Sequence, residues 1–326
     1  MYRGLICIGG LLCMCVSQSL SKSCNILSIG AGGSYFPIYM GMLEKYRHQL
    51  PQKYDLYAGI SIGGSMSGIL AFFNHNISEG IEFIKEQLIF DDSLTQHRFM
   101  TPQTLYEMLQ SGTLYNNDFE NIHTNVYNNI KYKSTVPSLI GAVHKTTNDF
   151  KIFDMSKYHD NRELQLQLFL ATVSIKYLYP HTSLEILGEI DNKYIDGGTL
   201  KPFILEEIEN HIDCGFYNIT LLSVLQMRKS GIFDLMGHST LHHMTNQYLY
   251  INYMILLKRG IIAKVEDGCK VGRNNIGIVN FCYMKSRVLP IYSSLNFRYS
   301  RELYRLGLTE SECDKYIYCG IMDADL

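Results

Sequence analysis

Three short segments of the 326-residue chain hold residues that can do chemistry. The first is Gly59-Ile60-Ser61-Ile62-Gly63-Gly64, which follows the apolar run Leu56-Tyr57-Ala58. A serine at a sharp strand-to-helix turn is forced into strained backbone angles, and glycines are needed beside it where a side chain would strike the neighbouring strand or helix. Ser61 is the candidate nucleophile, with Gly59, Gly63 and Gly64 as its supports. The second segment, Gly30-Ala31-Gly32-Gly33-Ser34, follows the apolar stretch Cys24 to Ile29. A glycine-rich turn between strand and helix presents backbone N–H groups at the positive end of the helix dipole, where anions bind. The Gly32 and Gly33 N–H groups are candidate oxyanion donors, a role commonly worth about 3 to 4 kcal/mol per donor. The third segment, Tyr194-Ile195-Asp196-Gly197-Gly198, puts an acid at the end of a short strand and just before a turn built on Gly197 and Gly198. Taken alone it is an ordinary Asp-Gly turn. Taken with the other two, Asp196 is the candidate base.

The order of the three pieces separates hydrolase families. In an α/β-hydrolase the elbow follows several strands, and an acid and then a histidine come after it. Here one strand and one helix precede it. The order glycine-rich loop, Gly-x-Ser-x-Gly, Asp-Gly-Gly resembles the patatin-like phospholipase family, whose members use a Ser-Asp dyad without a catalytic histidine. The family's first motif falls on Ala31 to Phe36, its second on Gly59 to Gly64 and its third on Asp196 to Gly198. Ala171 to Pro180 is similar to the family's segment between the two catalytic motifs, and Leu295-Asn296-Phe297 with Glu302 to Gly307 to its closing helix. The departures are Ala31 for the first glycine, Tyr35 for a basic residue, Phe36 for a glycine, and Lys201 where the family commonly has Asn.

The resemblance implies a three-layer α/β/α fold with a mostly parallel central sheet. It also implies a lipid acyl hydrolase working on phospholipid at a membrane surface, through Ser61, Asp196 and a covalent acyl-enzyme, with no cofactor and no metal. Two other readings compete: a protein of the same fold that binds lipid or a partner without turnover, and an α/β-hydrolase-like esterase with a histidine base. His181, beside Pro180, reads as a loop histidine and is the one to test as a third catalytic member.

The elements that must position these residues are legible as a pattern. Helices are expected at about 62 to 73, 78 to 88, 102 to 110, 116 to 128 and 163 to 174, and strands at about 138 to 143, 151 to 154, 184 to 189 and 216 to 224. Alternating β and α elements imply parallel strands with helices on both faces. The apolar segment Tyr248 to Leu257 reads as a core helix. With 46% hydrophobic and 18% charged residues the chain can bury a large core, and a single domain over residues 24–326 is expected. A net charge of −2, with no tryptophan and no basic-aromatic patch, gives no footprint for nucleic acid.

Residues 1–21 place Arg3 before the apolar run Gly4 to Val16 and small residues after it, which reads as a secretory signal or, if uncleaved, an anchor over residues 4–20. Export to the exterior or a secretory lumen is the expectation. Beyond that segment lie Cys24, Cys214, Cys269, Cys282, Cys313 and Cys319, an even set whose pairing the sequence leaves open. Asn76 and Asn218 begin glycosylation sequons, and Asn218 falls in an expected buried strand. His238, His242 and His243 lack the glutamate of a His-Glu-x-x-His zinc site, and Gly30-x-Gly32 lacks the third glycine of a dinucleotide fingerprint.

Overall fold

The seven residues Ser23–Ile29 form the first strand, β1, and only its outer end meets solvent. Strand β2, Leu56–Ile60, is buried at every position. A strand with no polar face must be covered on both sides, so helices pack above and below it. The computed structural model describes residues 22–91, 117–131, 133–134, 136–174, 182–183, 193–224, 252–270, 276–284 and 299–321.

Among the described residues the sheet continues with β3 (Ser138–His144), β4 (Phe150–Asp154), β5 (Thr182–Ser183) and β6 (Lys193–Asp196). It is completed by β7 (Phe216–Leu222), β8 (Ile262–Lys264), β9 (Gly277–Met284) and β10 (Ser311–Tyr318). The order is β5-β6-β3-β2-β1-β7-β9-β10-β8, with β4 paired to β3. The central strands β3, β2, β1, β7 and β9 run parallel. Both margins are antiparallel. At the β3–β4 margin the chain reverses in a tight turn with Asn148 at φ 58°, and such a turn can join only antiparallel neighbours.

Helix α1, Phe36–Lys45, follows the glycine-rich loop, and the elbow helix α2, Ile62–Phe72, is buried along its whole length. Its small residues allow that depth. A Cβ on Gly68 would stand 2.8 Å from the Phe169 ring of α5 (Arg162–Val173). Between them in sequence lie α3 (Ile77–Ile84), continued by a π turn Lys85–Ile89, and α4 (Asn117–Asn129). Helix α6 covers residues 252–259, and α7 is Ser300–Glu310. Helices α1 and α7 cross at Gly41 and Gly307, where a Cβ on Gly307 would lie 2.3 Å from the Ile38 carbonyl.

Two expectations are refined. Helix α6 buries Tyr253 and Leu256 but exposes Met254 (41%) and Ile255 (42%), so the core-helix reading of this segment holds for one face only. The six cysteines pair as Cys24–Cys214, Cys269–Cys319 and Cys282–Cys313. The nearest pair in sequence, Cys313 and Cys319, is not joined. Asn218 of β7 is tied into a ladder: its Nδ2 donates to Asn25 Oδ1 (2.9 Å), and Asn280 Nδ2 donates to its Oδ1 (3.2 Å). Asn76 is exposed at the start of α3. The expected elements at about 102 to 110 and 184 to 189, and residues 1–21, lie outside the described residues. Among the described residues no helix is long and apolar enough to cross a membrane.

Candidate active site

Strand β2 ends at Ser61, which adopts φ 58° and ψ −137° and stands at the N-cap of α2. A non-glycine residue in this region is strained, and such strain persists only where surrounding contacts hold it. Here they do. The Ser61 N–H donates to Thr172 Oγ1 (2.9 Å), whose own hydroxyl donates to the Gly141 carbonyl of β3 (2.8 Å). The Ser61 carbonyl accepts the first helical N–H, from Gly64 (2.9 Å). The glycines supply clearance: a Cβ on Gly59 would lie 2.2 Å from the Gly63 carbonyl, and one on Gly63 would lie 2.3 Å from the Ile29 and Gly30 carbonyls. Gly64 faces Thr172, 2.8 Å from where its Cβ would be.

Asp196 arrives by strand register. Ile60 of β2 pairs with Gly141 of β3, and Asp196 of β6 pairs with Ala142, the next residue. Pro137 O accepts from Tyr57 of β2, and Lys145 N–H donates to Lys193 of β6. Pro137 and Lys145, which flank β3 at its two ends, are an even number apart and so face the same edge. Strand β6 therefore takes up the edge that β2 leaves at the elbow, while β4 holds the other edge through His144 N–H and Asp149 O. Asp196 lies at the step just past Ile60, beside Ser61.

The two side chains meet directly. Ser61 Oγ donates to Asp196 Oδ2 at 2.5 Å. The second carboxylate oxygen accepts from Gly198 N–H (2.7 Å), the Asp196 N–H donates to Ser174 O (2.9 Å), and Thr199 Oγ1 donates to the Asp196 carbonyl (2.9 Å). Ser61 and Asp196 are each 4% exposed. Desolvation pushes the Asp196 carboxyl from 3.8 up to about 7, against the opposing pull of the bonds from Ser61 and Gly198. A carboxylate so tuned is a base of useful strength near neutrality.

The glycine-rich loop closes the site. Gly30 N–H donates to Leu222 O (2.9 Å) and Ala31 N–H to Pro202 O (2.8 Å), while the buried Tyr39 hydroxyl bonds both the Gly30 and Ala31 carbonyls at 2.9 Å. Gly33 takes φ 53° and opens the 3-10 turn Gly33–Tyr35 that runs into α1. The first N–H groups of such a turn have no acceptor within it. The loop and the other two motifs converge at Gly198: a Cβ there would lie 3.0 Å from Ala31 Cβ, 3.0 Å from Asp196 Oδ1 and 3.7 Å from Ser61 Cβ. Gly197 abuts the Gly141 carbonyl, 2.6 Å from where its Cβ would be.

Ser61, Asp196 and the glycines Gly59, Gly63, Gly64, Gly197 and Gly198 thus form one locus, and Gly32 and Gly33 follow directly on Ala31, which abuts it. Tyr35 and Phe36, which replace a basic residue and a glycine, are buried. Sequence reasoning missed Thr172 and Ser174, which fix the nucleophile and the acid. The only signal was that both fall in the Ala171 to Pro180 segment. His181, His238, His242 and His243 lie outside the described residues.

The family model for the patatin-like phospholipases matches residues 27–207, more than half of the chain and all three motifs. The chain belongs to the patatin-like phospholipase family. The family's members are lipid acyl hydrolases. Among solved structures, VipD from Legionella pneumophila is similar with a TM-score of 0.41 and 13% identity, covering 90% of this chain and 68% of that one. The comparison with curated proteins finds no match.

Proposed function

We propose that this protein is a phospholipase of the A type, cleaving fatty-acyl esters through a Ser61–Asp196 dyad. The observation that carries the reading is the direct 2.5 Å bond from Ser61 Oγ to Asp196 Oδ2 at a strained elbow. With the carboxylate already on the hydroxyl, a histidine base has no place between them. Asp196 takes the hydroxyl proton as Ser61 Oγ attacks the ester carbonyl, and the negative oxygen of the tetrahedral intermediate is held by the Gly32 and Gly33 N–H groups. Collapse expels the lysolipid alkoxide, which takes the proton back from Asp196. Water then gives a proton to Asp196 and attacks the acyl-enzyme, and the fatty acid leaves as Ser61 Oγ is reprotonated.

A fluorophosphonate probe tests this. Mass-spectrometric mapping should place the adduct on Ser61, and Ser61→Ala should abolish both the adduct and ester hydrolysis. A labelled residue elsewhere, or an unlabelled Ser61 in folded protein, would sink the dyad and favour a lipid-binding role.

The same reading extends to compartment. Three disulfides support an oxidising setting, as does the signal-like N-terminus. The proposed site of action is a membrane surface outside the cytosol, with the mature chain starting near Lys22. N-terminal sequencing from the native host decides it: an intact Met1 on soluble cytosolic protein refutes export, and one on membrane-bound protein favours an anchor.

A further inference from the structure

The glycine-rich loop rests on a buried tyrosine. Tyr39 of α1 has no solvent exposure, and its hydroxyl lies 2.9 Å from both the Gly30 and the Ala31 carbonyl oxygens. Burial pushes this phenol above its ordinary value, against the pull of a backbone hydrogen bond with Val224, so the hydroxyl keeps its proton to donate. Gly32 packs directly on it: a Cβ there would stand 2.9 Å from the Tyr39 hydroxyl oxygen and 3.1 Å from its ring.

Peptide planarity turns these contacts into directions. In a trans peptide the C=O and the following N–H lie in one plane and point opposite ways. Gly30 C=O faces Tyr39, and the N–H of the same peptide, that of Ala31, runs away to Pro202 O (2.8 Å). Ala31 C=O faces Tyr39 too, so the N–H of its peptide, that of Gly32, is also turned away from the phenol. In the next peptide Tyr35 N–H donates to Gly32 O (3.0 Å) and so fixes the plane that carries Gly33 N–H. The loop therefore has two sides. Cβ positions on Gly30 and Gly32 face the Tyr39 hydroxyl, at 3.7 and 2.9 Å, whereas Ala31 Cβ between them faces Gly198, whose own Cβ position is 3.7 Å from Ser61 Cβ. The phenol holds one side, and the dyad stands on the other.

Resting on the acyl-hydrolase reading, we infer that Tyr39 is a positioning residue for the oxyanion donors: its hydroxyl holds Ala31 C=O on the core side and thereby aims Gly32 N–H at the ester oxygen above Ser61. It touches neither the substrate nor the dyad. Donors aimed in advance need no reorganisation as charge develops, so the hold acts on the transition state and leaves ground-state binding alone. Nothing in the three motifs signals this role, because Tyr39 lies beyond the first of them, which ends at Phe36.

The test is Tyr39→Phe in the full chain, which keeps the ring beneath Gly32 and removes only the hydroxyl. A trifluoromethyl ketone with a fatty-acyl tail is the probe: Ser61 Oγ adds to its carbonyl carbon, the serine proton passes to Asp196, and the ketone oxygen takes the negative charge. Expected are full fluorophosphonate stoichiometry at Ser61, kcat per labelled site lower by about tenfold or more, KM within about twofold, and ketone affinity lower by the same factor as kcat. A tyrosine that only fills the core would lower the melting temperature and the labelled fraction, and leave kcat per labelled site and ketone affinity as in the parent. That result overturns the assignment, as does a change confined to KM or a fall in kcat without a matching loss of ketone affinity. A second measurement uses the parent alone. With isotope at the alanine carbonyl carbon and the glycine nitrogen, only the Ala31–Gly32 and Ala58–Gly59 peptides carry both labels. Ketone binding should move the Gly32 amide proton downfield and leave that of Gly59 in place, and an unmoved Gly32 amide overturns the assignment whether or not the variant folds. Failure of the dyad would appear instead in the parent, as an unlabelled Ser61 and no ketone adduct.

Discussion

Replacing Asp196 by asparagine should abolish acyl transfer and, at neutral pH, stabilise the fold. The carboxyl is buried, and desolvation raises it from 3.8 to about 7, with the Ser61 and Gly198 bonds acting in the opposite direction. In the unfolded chain it titrates near its ordinary value of about 3.9. Between about pH 4 and pH 7 the native state therefore binds one proton more than the unfolded state, and stability falls as pH rises through that window. A displacement of about three units at about 1.4 kcal/mol per unit gives a loss of about 4 kcal/mol between the two ends. Asparagine carries no charge and keeps the two contacts: its Oδ1 can accept from Gly198 N–H and its Nδ2 can donate to Ser61 Oγ.

The stability difference between Asp196→Asn and the parent should thus be small near pH 4 and grow to several kcal/mol in the variant's favour near pH 8. Urea unfolding of both proteins at unit steps of pH measures it. Ester hydrolysis by the parent over the same range should show kcat/KM rising roughly tenfold per unit below about pH 7 and then levelling, because only the unprotonated carboxylate accepts the serine proton. A stability difference independent of pH would refute the raised carboxyl. A flat rate profile would mean that Asp196 acts otherwise than as a base.

Further expectations follow from the same geometry. Thr172→Val deprives the buried Ser61 N–H of its acceptor, so the fold should lose about 1–3 kcal/mol in urea unfolding. Fluorophosphonate labelling of Ser61 should slow as well; unchanged labelling would mean the elbow is held without Thr172. Gly33→Val sets a β-branched residue at φ 53° and should lower kcat by tenfold or more with a smaller effect on the melting temperature, whereas a normal kcat would put the oxyanion donors elsewhere. Removing Cys24–Cys214, which closes a separation of 190 residues, should cost roughly 3 to 5 kcal/mol in chemical unfolding, and no loss would argue that the bridge is not formed in solution.

The parts of this site that were legible in the sequence share a physical origin. Close backbone approach admits only glycine, so Gly59, Gly63 and the loop glycines mark their own turns, and an apolar run before such a turn marks the strand that feeds it. Strands β1 and β2 and the helices after them were read for that reason. What periodicity does not carry is which strand lies beside which. Strand β4 reads as a strand from Lys151 to Asp154, but its antiparallel seat on β3 follows from the tight turn at Asn148. The disulfides were unreadable because Cys282 and Cys313 meet through the β9–β10 register, and Cys24 and Cys214 through the β1–β7 neighbourhood.

The same limit explains why the nucleophile and the acid could be named while the residues that bring them together could not. Ser61 and Asp196 sit 135 residues apart, and neither touches the other because of anything local to its own motif. They meet because β3 lends one edge to two strands in succession: to β2 as far as Gly141, then to β6 from Ala142 onward. Gly141 marks the handover. Its carbonyl accepts the Thr172 hydroxyl that holds Ser61, and its backbone also leaves room for Gly197 behind the acid. A side chain on Gly141 itself would press on the Phe150 ring, 2.7 Å away, and on Ile60, 3.0 Å away. In sequence Gly141 is one glycine in an apolar strand. In the fold it is the point at which the elbow, the acid turn and the α5 threonine are all referenced to one strand, and the spacing of the dyad depends on that strand's register.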